Sequence, residues 1–194
     1  MCFESLTTYG QFKEQWHDTR WEIIDAKYYK MPPITYEHQQ VLLNMLTQLR
    51  NNLKETEWKI LMMPYKVLLR ESNEEADSVK NVVLPDIILV SDIKKIKEEY
   101  CYGSPDIIVE VVDDYESTPS WQLSHEYITK LALYQKFKIK EYWIVDIGFK
   151  RVMSYDMHGK DTYGSPNIFN GKEFGSYLLM NCNINLKNLF DSID

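Results

Sequence analysis

NVVLPDIILV, residues 81–90, and PDIIVEVVDD, residues 105–114, decide how the chain is read. Each holds a run of Val, Ile and Leu long enough for a strand buried on both faces. Each is also interrupted by carboxylates, Asp86 in the first and Asp106 and Glu110 in the second. An ionised carboxylate in an apolar layer finds a cation or hydrogen bonds, or it shifts its pKa and goes neutral. Two acids set to share one sheet therefore suggest a cation. Strand alternation places Asp106, Ile108, Glu110 and Val112 on one face, and neighbouring strands can bring Asp86 and Glu110 together. Such a pair suits a hard cation such as Mg²⁺, which takes oxygen ligands and keeps several waters. The plainer alternatives are a turn-capping role for Asp86 after Pro85 and a buried structural ion pair for Glu110.

Outward from this centre, the elements alternate between strands and helices. Thr7 or Thr8 caps a short helix running to Trp16. WEIIDAKYYKM, residues 21–31, predicts two short strands around Asp25-Ala26, stopped by Pro32-Pro33. Thr35 caps a long helix in which Val41, Leu42, Met45, Leu46, Leu49 and Leu53 recur at three- and four-residue steps, so that it covers one face of the sheet. Trp58 to Leu69 reads as one strand with Pro64 marking an edge or bulge. Val82 to Val90 and Ile107 to Val112 read as the central strands. Thr118-Pro119 starts a helix in which Tyr127, Leu131, Tyr134 and Phe137 keep the spacing through Lys138. EYWIVDI and KRVMSYDM are two further strands, EFGSYLLM another, and INLKNLFDSI a short helix.

Lys130 has Glu126 and Tyr134 four residues to either side, which on sequence alone reads as an exposed Glu126–Lys130 helix pair. The functional alternative is a lysine that reaches the carboxylates and positions a water beside a metal. Glu22, between Trp21 and Ile23, can face solvent or the site. His38 and Gln39 lie in the first turn of the long helix and read as surface residues. His17, His125 and His158 have no ligand spacing, and neither a phosphate-cradling glycine loop nor a nucleophile elbow is present. That excludes zinc and P-loop chemistry from the expectations.

The chain's 194 residues, 44% hydrophobic and 26% charged with seven Gly and seven Pro, predict a single globular domain over residues 1–194. MCFESLTTYG has no secretory signature, and no segment approaches a membrane span, so a cytoplasmic location is expected. Cys2, Cys101 and Cys182 are scattered and read as free thiols. A net charge of −7 argues against a broad nucleic-acid surface while leaving room for a local basic cleft.

Taken in order, WEIIDAKYYKMPPITYEHQQVLLNML, VLPDIILV, YGSPDIIVEVV and KLALYQKFKIKEYWIVD give the chain a clear likeness to a known family. It resembles the Uma-type putative restriction endonucleases of the PD-(D/E)xK nuclease superfamily, over roughly Trp21 to Met153. The resemblance implies an α/β (α+β) restriction-endonuclease-like core, a central mixed sheet flanked by helices. It also implies a DNA-cleaving, Mg²⁺- or Mn²⁺-dependent endonuclease, and a homodimer. The family pattern maps its metal-binding acids to Asp86 and Glu110, and its early glutamate to Glu22 of EIIDA. The superfamily's lysine two residues after the second acid is absent, since Val112 stands there; the family takes it from the following helix, here Lys130 of ITKLALY. Where the family often has Gly and a Ser-Pro pair, this chain has Ala26, Asp113 and Asp114, extra acids that could add a ligand or repel a phosphate backbone. The alternative is a catalytically silent interaction or nucleic-acid-binding module that retains the fold.

Overall fold

The computed structural model describes residues 2–3, 7–15, 20–113 and 120–191. The chain opens with β1 (Cys2–Phe3) and α1 (Tyr9–Gln15), the latter started by the Thr8 hydroxyl, which accepts from Gln11 N. Trp16, the expected end of that helix, lies outside the described residues. A hairpin of β2 (Trp21–Ile24) and β3 (Lys27–Lys30) follows, then α2 (Tyr36–Leu53), with Thr35 as its cap as expected. The hairpin turn holds Asp25 at φ 47° and Ala26 at φ 62°. A two-residue turn with both φ values positive is what a right-twisted hairpin favours, normally with Gly in it. Here the strain is held by hydrogen bonds from Asp25 N to Asn81 Oδ1 and from Ala26 N to Lys80 O.

Two expected strands each prove to be two. Trp58–Leu69 divides at Met63-Pro64 into β4 (Lys59–Met62) and β5 (Lys66–Leu68). Val82–Val90 divides at Leu84-Pro85-Asp86 into β6 (Val82–Val83) and β7 (Ile87–Val90), because Pro85 has no N–H for a ladder and Leu84 N is drawn to Glu22. After β8 (Tyr100–Tyr102) and β9 (Ile107–Val112) comes the helix that carries Lys130. Its expected start, Thr118-Pro119, lies outside the described residues. It runs as α3 (Ser120–Ser124), a π-helical segment (His125–Lys130) and α4 (Leu131–Lys136). The chain continues through β10 (Glu141–Asp146), β11 (Arg151–Asp156), β12 (Asn167–Phe169), β13 (Glu173–Gly175), β14 (Asn183–Asn185) and α5 (Leu186–Leu189).

These strands build two six-stranded mixed sheets and one small hairpin, β13–β14. The first sheet runs β1-β3-β2-β6-β5-β8 and the second β12-β11-β10-β9-β7-β4, so each divided segment sends one half to each sheet. Within the second sheet β9 pairs parallel with β10 and antiparallel with β7. Ile107, Val109 and Val111 pack with Val41, Leu42, Met45 and Leu49 of α2 on one face. Ile108 and Val112 pack on the other with Leu133, Tyr134 and Phe137, and with Ile24 and Val83 of the first sheet. The expected fold class is thus present, with helices on both faces of a central mixed sheet. Among the described residues no helix is long and apolar enough to cross a membrane.

α4 ends on a pair of bonds, Ile139 N to Tyr134 O and Lys138 N to Gln135 O, with Lys138 at φ 56°. This is the double carbonyl capture that normally has glycine at the left-handed position. Lys138 is exposed, and its ion pair with the exposed Asp161 contributes little. Lys138→Gly should therefore raise the stability by about 0.5–1 kcal/mol. A urea midpoint that rises with unchanged slope supports this, and an unchanged or lower midpoint contradicts it.

Candidate active site

Asp86 sits where the chain passes from the first sheet to the second. Ile87 lies opposite Val109 in the β7–β9 ladder, so extending that register by one step sets Asp86 across from Glu110. Its Oδ2 accepts from Val111 N at 2.7 Å and its Oδ1 lies 3.1 Å from His38 Nε2. His38 is in the first turn of α2, where its N–H donates to the Thr35 hydroxyl oxygen at 3.1 Å. Its Nδ1 lies 3.5 Å from Asp113 Oδ1, to which the Thr35 hydroxyl donates at 2.8 Å. The start of α2 and the end of β9 thereby clamp Asp86.

Alternation along β9 turns Glu110 toward the Lys130 helix, between Ile108 and Val112. Its Oε1 accepts from Lys130 Nζ at 2.9 Å and from the Tyr134 hydroxyl at 2.8 Å. In β2, Glu22 shares a face with Ile24, and its Oε1 takes the Leu84 N–H at 2.9 Å and lies 3.1 Å from Lys130 Nζ. Its Oε2 is 2.9 Å from His125 Nε2. Glu126 Oε2 is the third carboxylate oxygen near the ammonium, at 3.1 Å. The i→i+5 bonding of the π segment brings His125, Glu126 and Lys130 to the buried side together while Ile128 points out, 66% exposed. Lys130 and Glu22 are both 0% exposed.

Three carboxylates around one ammonium cannot all be balanced by it. Burial alone would raise Glu22, but Lys130, His125 and the Leu84 N–H bring it down to about 2. Burial raises Glu110 well above the usual carboxylate range; Lys130 pulls the other way, but Glu126, Asp86 and Glu22 add to the rise. Glu126 is raised by burial and by Glu22. Lys130 is held well above its ordinary value, against its burial, by Glu110, Glu126 and Glu22. Burial opposes the charge on His38, yet Asp86 and Asp113 carry it up to about 10.

Of the four residues expected at the site, Glu22, Glu110 and Lys130 meet directly. Asp86 stands one strand aside, near enough for its charge to act on Glu110. Lys130 and Glu126 are paired as expected of their four-residue spacing, but buried rather than exposed. His38, expected at the surface, is 7% exposed because Asp86 and Asp113 draw it inward. His125 was given no role by its spacing, and its partner Glu22 lies 103 residues away. Tyr134, read only as one of the residues that keep the helical spacing, also carries a hydrogen bond to Glu110. Asp106 is a strand-start residue, bonded by Ser91 N and Oγ at 2.8 Å and by Lys140 Nζ at 2.6 Å. Asp113 is occupied with Thr35 and His38, and Asp114 lies outside the described residues.

Residues 8–184 match the family described as Uma2, putative restriction endonuclease. Among solved structures, the chain is similar to a putative nuclease from Anabaena variabilis. The TM-score is 0.72 at 13% identity, covering 95% of this chain and 97% of the other. At that identity the likeness is one of fold. No curated protein matches the chain.

The charge balance makes two results expected in metal-free buffer. Lys130→Met leaves three buried carboxylates without their cation and should cost about 3–5 kcal/mol by chemical denaturation. A cost below about 1 kcal/mol would contradict the cluster. Because the folded-state pKa of His38 lies at about 10, above its ordinary 6.5, its contribution is fully present below pH 6.5 and is lost as pH rises toward 10. The denaturation midpoint of the wild type should fall more steeply across that window than that of His38→Gln. Parallel curves would remove His38 from the charge balance.

Proposed function

The chain belongs to the Uma2 family of putative restriction endonucleases, and from that premise we propose that it is a metal-dependent endonuclease that hydrolyses DNA phosphodiester bonds. What supports this reading is one observation: Glu22 and Glu110 lie within 3.1 Å and 2.9 Å of the Lys130 ammonium, and the β7–β9 register sets Asp86 beside Glu110. Asp86 and Glu110 would hold the cation. Their donor chemistry fits a hard divalent ion, since both offer carboxylate oxygens and the buried Glu110 is crowded by the carboxylates of Glu126, Asp86 and Glu22. Among the described residues no group of three or more His, Cys, Asp or Glu could hold a metal ion. Held by Asp86 and Glu110 alone, a cation would take most of its coordination sphere from water and substrate oxygens, as Mg²⁺ commonly does.

Bound there, Mg²⁺ or Mn²⁺ supplies Lewis-acid stabilisation of the phosphate and a lowered pKa for a water. The chain's own groups do the positioning. His38 and the Val111 N–H fix the Asp86 carboxylate, and the Tyr134 hydroxyl fixes Glu110. Lys130, kept positive by its neighbours, would orient the attacking water and offset charge developing on the phosphate, in a site where an aimed charge counts for more than in bulk water. Glu22, kept ionised, would bind a second cation or the water network. We further propose that residues 1–194 form a single restriction-endonuclease-like domain that acts in the cytoplasm as a homodimer.

One observation favours a second reading. Lys130 and Glu22 have no exposed surface, as in a purely structural ion cluster of a non-cutting interaction or nucleic-acid-binding module. Calorimetric titration with Mn²⁺ separates the two. Binding that is lost in Asp86→Ala supports the nuclease, whereas no binding together with a large loss of stability supports the structural cluster.

Purified protein incubated with supercoiled plasmid and with single-stranded DNA should produce nicked and shortened products that depend on Mg²⁺ or Mn²⁺. Asp86→Ala and Glu110→Ala should each lower the rate by about 100-fold or more, the scale expected when transition-state charge stabilisation is removed. No cleavage by wild type, or equal cleavage by either variant, overturns the proposal.

A further inference from the structure

Beyond the carboxylate cluster, the carboxyl ends of β9 and β10 open into a second feature. A cavity of about 220 Å³ lies there, lined by Asp113, Leu123, Tyr127, Asp146, Phe149 and Arg151 together with Val112. Val112 follows Glu110 by two positions on the same face of β9, about 7 Å along the strand. Asp113, on the wall, is joined through His38 to Asp86. The cavity therefore borders the strand that carries Glu110 and is linked to Asp86 through Asp113 and His38.

Its outer corner is built with more care than a hairpin turn needs. Arg151 is held by Asp146 Oδ2, 3.0 Å from its Nε and 2.9 Å from its Nη2, and the Tyr127 hydroxyl donates to the same oxygen at 2.9 Å. Phe149 N donates to Asp146 Oδ1 at 3.1 Å, which fixes the turn that presents the ring. The guanidinium carbon lies 4.5 Å from the centroid of the Phe149 ring. Phe149 is nevertheless 62% exposed, a large aromatic surface left in water beside a fixed guanidinium. The guanidinium covers one face of the ring, and the exposed remainder, beside the 220 Å³ cavity, is an aromatic surface of the kind on which nucleobases stack.

We propose that Phe149 and Arg151 form a base-stacking subsite that takes one unpaired nucleobase of the strand to be cut, next to the Asp86–Glu110 pair. This rests on the nuclease reading and deepens it. A base stacked on Phe149 has left its own helix, so the subsite selects single-stranded, frayed or flipped substrate over a fully paired duplex. Stacking is tolerant of sequence, because every base has a π-face, and the subsite accordingly contributes strand-state preference more than sequence preference.

The test uses the full chain and a single-stranded oligonucleotide carrying 2-aminopurine, with Ca²⁺ replacing Mg²⁺ for binding and Mg²⁺ restored for turnover. In the wild type the 2-aminopurine fluorescence should be quenched on binding. Phe149→Ala should lose the quenching and raise both Kd and KM by about tenfold, within the range of one base–aromatic stack, with kcat little changed. Phe149→Trp should restore the quenching and the lower KM. Since Phe149 is exposed, both variants should unfold at the wild-type temperature, which separates lost stacking from lost folding. If wild type binds and cleaves while Phe149→Ala keeps its quenching and KM, the subsite is overturned and the nuclease reading stands. If wild type neither binds nor cleaves nucleic acid, both fall.

Discussion

The structure depends on one fully buried ammonium. Lys130 has no exposed surface and lies within 3.1 Å of carboxylate oxygens from Glu22, Glu110 and Glu126. Taking such charges out of water is costly, and the cost is met only when every partner is held in place. Much of the local architecture serves that end. The β2–β3 hairpin delivers Glu22, the divided β6–β7 segment releases the Leu84 N–H to it, alternation in β9 aims Glu110, and the π segment turns Glu126 and Lys130 to the same side. The two sheets are tied together at this point, since Glu22 comes from the first and Glu110 from the second.

A cluster built this way is asymmetric. Glu22 keeps its charge, with a lysine, a histidine and an amide turned toward it, while Glu110 shares the same lysine but faces three other acids. The imbalance falls on Glu110, beside Asp86, and on Glu126. A structural ion pair has no need of surplus negative charge there, whereas a divalent cation does. His38, cationic between Asp86 and Asp113, offsets part of the same surplus from the α2 side.

Much of this was legible in the sequence, for identifiable reasons. Glu110 announced itself because a glutamate within a six-residue apolar strand must be paired, and period-two alternation gave its face. The resemblance supplied Glu22 and Lys130, which spacing alone left between surface and site. Other features carry no local signal. His38 and His125 find partners 48 and 103 residues away, and nothing in their own neighbourhoods marks them. The π segment differs from an α-helix by one step of hydrogen bonding that no residue pattern encodes, so Glu126–Lys130 looked like an exposed helix pair. The apolar run from Val82 to Val90 showed burial correctly, but burial does not reveal that a strand changes sheets at Pro85. Ala26 and Asp113, where the family pattern has other residues, are accommodated locally, one by bonds to the Asn81 loop and the other by Thr35 and His38.

The most direct measurement is the rate of plasmid cleavage as a function of Mg²⁺ concentration for wild type and Glu110→Gln. The amide keeps the shape of the side chain and an oxygen for Lys130 and Tyr134 while removing the charge. The account predicts a saturable Mg²⁺ dependence in the wild type and a loss of about 100-fold or more in Glu110→Gln at every concentration. A Glu110→Gln protein that cleaves with the wild-type rate and the wild-type Mg²⁺ dependence would contradict it.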